Sequence, residues 1–410
     1  MKTKTLYILI GVALIALIAV FAMNRASAPK VDVADRAQPV VPGLKEHLND
    51  VTGLTFVGAG DKTLVTLRRE KDGWVVAENS NYPVDLTKLR EYLLKLSQAT
   101  VIEEKTSNPK RYAELGVDDV KDASAAGVRL DIAGLAQPTK LIVGNFNGAG
   151  GGGTFVRRDG DAQSWLANGN LTVAKNVADW EKRDLADIAA NRISSVTLTS
   201  ADGKTWKAFK QQAGDANLQV ADVPQGREVS SDYAANSVST VLSNLRADDA
   251  MPAKDAAAPD KTAKVHYVMF DGVTVDAMTW QKDNKDFAQF AASLDTAAAN
   301  AEIDRAQTKA KADFEAIAAA KPANEKAATA QAEAPKPLAV TDPAKDRQQK
   351  LDALNAEVAA LKKTFDGWTF VLPTYKYTDM TKTLDDTLKP LETKKPDAKT
   401  AKAPPKAALK

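Results

Sequence analysis

Residues Leu6 to Met23 read LYILIGVALIALIAVFAM, and this run constrains the surroundings of the chain before anything constrains its fold. It is unbroken, apolar and about as long as a helix needs to cross a bilayer's hydrocarbon. Lys2 and Lys4 precede it, while Arg25 and Lys30 are the nearest cations after it. That bias favours a cytoplasmic N-terminus with the remainder exported. Ala26-Ser27-Ala28 has the small-x-small form of a signal-peptide cleavage site, which is the competing reading. The run exceeds a signal core of roughly 7–15 residues, so an uncleaved anchor over residues 1–28 is expected. Either way the body leaves the cytoplasm. The expected place is a bacterial inner membrane, crossed once by Leu6 to Met23, with the bulk in the periplasm.

The 410 residues are 44% hydrophobic and 26% charged, a globular balance with length for two or three domains. A net charge of +2 provides no field suited to nucleic acid. There is no cysteine, so disulfides, thiolate metal sites and thiol nucleophiles are excluded. Two histidines, His47 and His266, leave little for metal chemistry, and no metal or other cofactor is expected. Residues 29–50 mix prolines and charges without a period and read as a tether. Residues 389–410 form a Lys/Pro/Ala tail too polar to order itself.

Between these ends the pattern is α+β. Leu54–Val57, Leu64–Arg69 and Trp74–Val76 alternate like strands, with turn signals at Asp61-Lys62 and Lys71-Asp72-Gly73. Tyr82-Pro83 breaks the pattern, and Asp85 stands as N-cap before Leu86, Leu89, Leu93 and Leu96 at helical spacing. Strands are expected again at Val101–Glu104, Val128–Ile132, Lys140–Val143 and Thr154–Arg157, and a helix from Leu171 through Val177 and Trp180. From Ile193 the order recurs: strands at Val196–Leu198, Thr205–Phe209 and Leu218–Val220, a break at Pro224, and a helix on Val238, Leu242 and Leu245. Val265–Phe270 and Val273–Thr279 form a hairpin across Asp271-Gly272. These readings imply two tandem repeats of mostly antiparallel sheet with packed helices, over 51–190 and 191–388. The second is interrupted by a helical arm over 286–365, in which Phe287, Phe290 and Leu294 support one helix. Leu351, Leu354, Val358, Leu361 and Phe365 form the heptad stripe of another. The sheet resumes at Gly367–Leu372, and a last helix carries Met380, Leu384 and Leu388.

Few motifs carry chemistry. Gly148-Ala-Gly150-Gly-Gly-Gly153 fits the dinucleotide pattern but precedes a strand, Thr154–Arg158, where a helix is required, so it reads as a hairpin loop. Ser107-Asn-Pro-Lys110 fits S-x-x-K without the S-D-N and K-T-G partners, and Pro109 resists a helix interior. Gly203-Lys204-Thr205 lacks the upstream glycine of a phosphate loop, since Leu198 stands there. Glu103-Glu104, Asp118-Asp119 and Asp248-Asp249 read as solvated turns or strand ends. Trp74, Trp165, Trp206 and Trp368 read as packing residues before ligand platforms. No catalytic, cofactor-binding or metal residue is assigned.

One stretch is distinctive: Lys105-Thr-Ser107-Asn-Pro109 with Tyr112 and Leu115-Gly116-Val117. With Arg68-Arg69, Gly73-Trp74, Tyr82–Asp85, Phe155–Arg158, Trp165-Leu166, Trp180 through Ile188 and Gly367–Tyr377, it resembles the bacterial domain-of-unknown-function family 4340 over roughly residues 50–388. Members of that family are often encoded beside gliding-motility-type ABC transporters. The resemblance implies a non-enzymatic fold and a transporter or other envelope protein as partner, and carries over no catalytic residue. The expected function is therefore a membrane-anchored periplasmic accessory or binding protein. The alternative is a periplasmic hydrolase with two carboxylates held about 5–10 Å apart.

Overall fold

The computed structural model describes residues 38–319 and 336–391. The segment Leu6–Met23, the Pro/Ala linker at 320–335 and the tail beyond Leu391 lie outside the described residues. Among the described residues no helix is long and apolar enough to cross a membrane. The fold is α+β with antiparallel sheets. The chain divides into two compact units that interleave along the sequence. Of the described residues, unit 1 takes those up to Val51, Val57–Lys62 and Tyr92–Val173; unit 2 takes Thr52–Phe56, Thr63–Glu91 and those from Ala174 on.

The first half of the chain forms Gly53–Gly58 (β1), Lys62–Glu70 (β2), Gly73–Val76 (β3) and the helix Leu86–Gln98 (α1). Val101–Glu104 (β4), Val128–Ala133 (β5), Thr139–Asn147 (β6), Gly153–Arg158 (β7) and Ser164–Asn168 (β8) follow. Asp85 starts α1 as expected, its carboxylate accepting from the amides of Thr87 and Lys88 at 3.0 and 3.1 Å. One face of α1 buries Leu89, Leu93 and Leu96, while Leu86 is 41% exposed.

In unit 1, β5 to β8 form an antiparallel meander, and β4 pairs with β8 at its far edge. Val128, Leu130, Ile132, Leu141, Val143 and Val156 are buried at alternate positions, as half-buried strands require. The loop through Leu115-Gly116-Val117 lies hard against β6: a Cβ on Gly144 would stand 2.4 Å from the Leu115 carbonyl oxygen. Residues 38–50, expected as a tether, are packed instead. Val40, Val41 and Leu44 are buried, and the Val40 and Val101 amides donate to the Ala99 and Gln38 carbonyls.

Unit 2 contains an eight-stranded sheet. Its strands are Ile193–Thr199 (β9), Thr205–Phe209 (β10), Gln219–Val220 (β11), Asp249–Pro252 (β12), Ala263–Met269 (β13), Val273–Lys282 (β14), Lys285–Leu294 (β15) and Trp368–Leu372 (β16). They lie in the order β11-β10-β9-β13-β14-β15-β16-β12, every neighbour antiparallel. Two long helices, Thr296–Ala319 (α2) and Pro343–Phe365 (α3), stand between β15 and β16 in sequence, and Thr374–Met380 (α4) and Leu384–Thr387 (α5) follow. One sheet face, with Val196, Leu198, Val265, Tyr267, Val275 and Phe290, shares a core with Val238, Leu242, Val358, Leu361 and Phe365.

Four expectations are corrected here. Residues 285–294 are a strand, not the start of the helical arm. Phe287 and Phe290 suggest a helix by their spacing of three, but in a strand that spacing sends them to opposite faces. Phe287 stacks on Trp280 at 5.7 Å, and Phe290 meets Phe365 at 5.2 Å. Helix α3 covers one face and an aromatic cluster the other, so the strand lacks polar alternation. The turn that creates it, Asp283-Asn284, has both φ values positive (51° and 58°), as a two-residue hairpin demands.

Second, no α-helix runs from Leu171 to Trp180; only the single 3₁₀ turn Val177–Asp179 forms. The Leu171 amide donates to the Thr154 hydroxyl, and the Asn170 side chain takes the Thr172 amide, so these donors are spent outside a helix. Third, the helix expected through Leu245 is Asp232–Asn236, capped by Ser231 and continued by a 3₁₀ segment at Ser237–Thr240. Asn244 is left-handed (φ 45°), and Leu245 enters a strand paired with Asp184–Ala186. Fourth, Leu388 leaves the last helix for a strand, Leu388–Pro390, paired with Arg227–Val229. Lys389 and Pro390, expected in the tail, are therefore held.

Candidate functional site

The hairpin joining β9 to β10 turns at Ser200–Lys204. The Gly203 amide donates to the Ser200 carbonyl at 2.8 Å, with φ +89° at Gly203, which favours glycine there. Gly203-Lys204-Thr205 is thus a turn before a strand, as its sequence indicates. Asp202 accepts from the Ser200 hydroxyl and pairs with Lys204 at 3.1 Å. These partners hold its carboxyl down at about 2.

This hairpin forms one wall of a groove of about 760 Å³, and residues 380–385 form the opposite wall. Leu198, Trp206 and Met380 are buried at its floor, with Leu384 beside them. The Trp206 indole is fixed by its Nε1, which donates to the Lys382 carbonyl at 2.8 Å. The Lys382 ammonium turns to the Ser237 hydroxyl at 2.5 Å and to Asp379 at 3.0 Å. Thr383 starts α5 with a reciprocal capping box to Asp386, and those hydrogen bonds keep the Asp386 carboxyl below its usual range. An apolar floor and a rim of paired polar groups suit binding; the rim carboxylate of Asp202, pulled low, is a stable anion and a poor proton donor.

Thr199 is shared with a second hollow, of about 450 Å³, on the open face of the same sheet. Thr197, His266 and Asp276 are cross-strand neighbours there, as are Thr199, Lys264 and Met278. His266 is half-exposed and its Nδ1 lies 2.7 Å from Asp276 Oδ1, so it is the sheet side chain expected. Gln289 Nε2 donates to the Thr369 hydroxyl at 2.8 Å. The two hollows lie on opposite faces of the sheet and meet only at Thr199, with the indole floor on one face and the His–Asp pair on the other. The sequence reading singled out Trp206 and His266 separately.

The other flagged residues lie elsewhere. Gly148–Gly153 closes the hairpin between β6 and β7, with Gly151 and Gly152 at positive φ. Asn108 caps the 3₁₀ turn Pro109–Arg111; the S-x-x-K residues Ser107 and Lys110 are exposed, and neither lies in an α-helix. Glu103 pairs with Lys105 at 2.7 Å, and His47 with Asp50 at 2.7 Å. Asp249 accepts its neighbour's amide, from Ala250 at 2.9 Å. Trp368 rests edge-on against Tyr82, with centroids 4.6 Å apart, and Trp74 and Trp165 are half-buried. Among the described residues no cluster of three His, Cys, Asp or Glu side chains could hold a metal.

Two buried cations explain the distinctive stretches. Arg157 is 3% exposed; its Nε donates to the Val117 carbonyl at 2.9 Å, Nη1 to the Asp161 carbonyl at 2.8 Å and Nη2 to Asp119 at 2.5 Å. Its guanidinium lies 4.5 Å from the Tyr112 ring centroid. Tyr112, Val117 and Arg157 thus belong to one packed node, and Asp119 of the flagged acid pair is its counter-charge. In unit 2 the Lys376 ammonium is buried and donates to the carbonyls of Thr240, Val241 and Ser243 at 3.0, 2.8 and 2.8 Å. It closes the C-terminal end of the segment that begins at Asp232. Burial draws its pKa below the usual lysine range. Both cations appear in sequence only as letters of a resemblance, because nothing local announces a buried charge.

Fold and groove define an α+β module of antiparallel sheets with an open, apolar-floored hollow. Residues 74–264 match the model of the family described as Domain of unknown function (DUF4340). That stretch contains the Arg157 node, β9 and β10, and ends inside β13; it is narrower than the 50–388 of the resemblance. No curated protein and no solved structure matches the chain.

Proposed function

We propose that this chain is a non-enzymatic binding or accessory module, anchored in the inner membrane through Leu6 to Met23 and facing the periplasm. Its partner on this reading is another envelope protein, of which an ABC-type transporter is the first candidate. The observation that carries the reading is the Trp206 groove, because its volume suits a ligand or a partner's side chains while its lining acids Asp202 and Asp385 are paired with Lys204 and Arg227. A glycan hydrolase needs one carboxyl held protonated beside another held ionised. Asp202 in the groove wall is held ionised by its hydrogen bonds, which favours binding over that alternative.

We also read the two sheets as copies of one design. In unit 1 the meander β5-β6-β7-β8 receives the earlier strand β4 beside its last strand. In unit 2 the meander β13-β14-β15-β16 receives the earlier strand β12 in the same place. A meander that takes back its preceding strand at the far edge is a specific arrangement, and its recurrence supports duplication.

The binding reading is tested with a photo-crosslinking residue placed in cells at Lys204, which is 88% exposed at the groove rim, and separately at the exposed Lys140 of unit 1. The expected result is a crosslink to one defined envelope protein from position 204 and none from 140. Equal crosslinking from both positions, or glycan hydrolysis by the purified chain, would contradict the reading.

A further inference from the structure

Asn79 ends the single 3₁₀ turn Ala77–Asn79, and the two residues after it, Ser80 (φ 49°) and Asn81 (φ 64°), are both left-handed. Such backbone persists in non-glycine residues only where the surroundings hold it. Asn79 supplies that hold. Its Nδ2 donates to the Glu181 carboxylate at 2.6 Å and to the Ala250 carbonyl at 2.8 Å. Ala250 lies in β12, the outermost strand of its sheet, so the amide occupies an acceptor on an otherwise open edge. Beyond the turn, the Tyr82 hydroxyl donates to the Lys182 carbonyl at 3.0 Å and its ring leans on Trp368. The Lys182 amide donates to the Pro83 carbonyl at 2.9 Å, and the Asp85 amide to the Trp180 carbonyl at 2.7 Å. Glu181 sits inside this seam at 4% exposure.

We propose that Asn79 and Glu181 form a proton-operated latch on the edge of β12. With Glu181 protonated the turn stays closed on Ala250, and with Glu181 ionised it loosens. The groups that face this carboxyl are Asp249 on β12, Arg183 on its own segment, the Tyr82 phenol and the Asn79 amide. Burial pushes the carboxyl above its ordinary range and outweighs the Asn79 hydrogen bond; Asp249 adds to the rise and Arg183 opposes it. A carboxyl protonated more readily in the closed seam than in open solvent ties closure to proton uptake. Closure is therefore strongest below the ordinary carboxyl range and weakens as pH rises through the raised pKa. The group released on opening is an edge carbonyl, which an added strand can pair with. The latch stands apart from the Trp206 groove and does not depend on it.

The experiment is amide hydrogen exchange on the full-length chain between about pH 3.5, below the ordinary carboxyl range, and about pH 7.5, corrected for intrinsic rates, read at Lys182 and Asp85, whose amides cross the seam. Wild-type protection should fall about tenfold for each unit by which the Glu181 pKa is raised. In Glu181→Gln, which keeps an acceptor for Asn79 without the charge, protection should stay flat. Asn79→Ala should lower protection at both ends of the range. A flat wild-type profile, or an unchanged slope in Glu181→Gln, overturns the latch. If that variant does not fold, Asp249→Asn decides. Removing the facing charge must move the wild-type midpoint to lower pH, and an unmoved midpoint overturns the proposal.

Discussion

Arg157 leaves no room for a neutral substitute. In Arg157→Met the carbonyls of Val117 and Asp161 lose their donors inside the fold, and Asp119 loses its partner. Asp119 is 65% exposed, so no buried charge is stranded; a carbonyl left without its donor costs about 1–3 kcal/mol, and urea unfolding of residues 38–391 should lose that much. A loss under about 1 kcal/mol would show that water serves these groups instead. Single residues were legible in the sequence where their chemistry is local. Asp85 announces its helix, Asp271-Gly272 its turn, and the strand after Gly153 rules out the dinucleotide reading. Arg157, Lys376 and Glu181 were not legible as a site, because their partners stand far away in sequence and burial, not residue type, gives them their role.

At the scale of elements, periodicity misled most where both faces of an element are covered. β15 carries phenylalanines on opposite faces and so mimics a helix, whereas α1 and α3 each carry one clear stripe. The true arm begins at Thr296, and its far end differs from its base. Val358, Leu361 and Phe365 belong to the core of unit 2, and Arg192 is bidentate to Glu357 at 2.8 and 3.1 Å. Among the described residues, α2 buries only Ala299 and Ile303, both near its start. Replacing residues 306–350 with a short Gly/Ser loop should therefore keep a single cooperative melt. Phe365→Ala, by contrast, should cost about 3–5 kcal/mol through the cavity it leaves against Phe290. Calorimetry reads both variants. A loop variant that melts in two steps would place the distal arm in the core.

For the whole molecule, the α+β class with mostly antiparallel sheets could be read from alternation and turn signals alone. The interleaving of the two compact units could not, since it depends on which strands and helices meet after folding. The groove escaped for the same reason: Leu198, Trp206 and Met380 are far apart in sequence and converge only when the sheet and α4 are in place. The account rests most heavily on one assumption, that the body lies outside the cytoplasm behind the run Leu6 to Met23. A reporter active only in the periplasm, fused after Lys410 and separately before Met1, tests it most directly. The account predicts activity after Lys410 and none before Met1; a cytoplasm-only reporter active after Lys410 would contradict it.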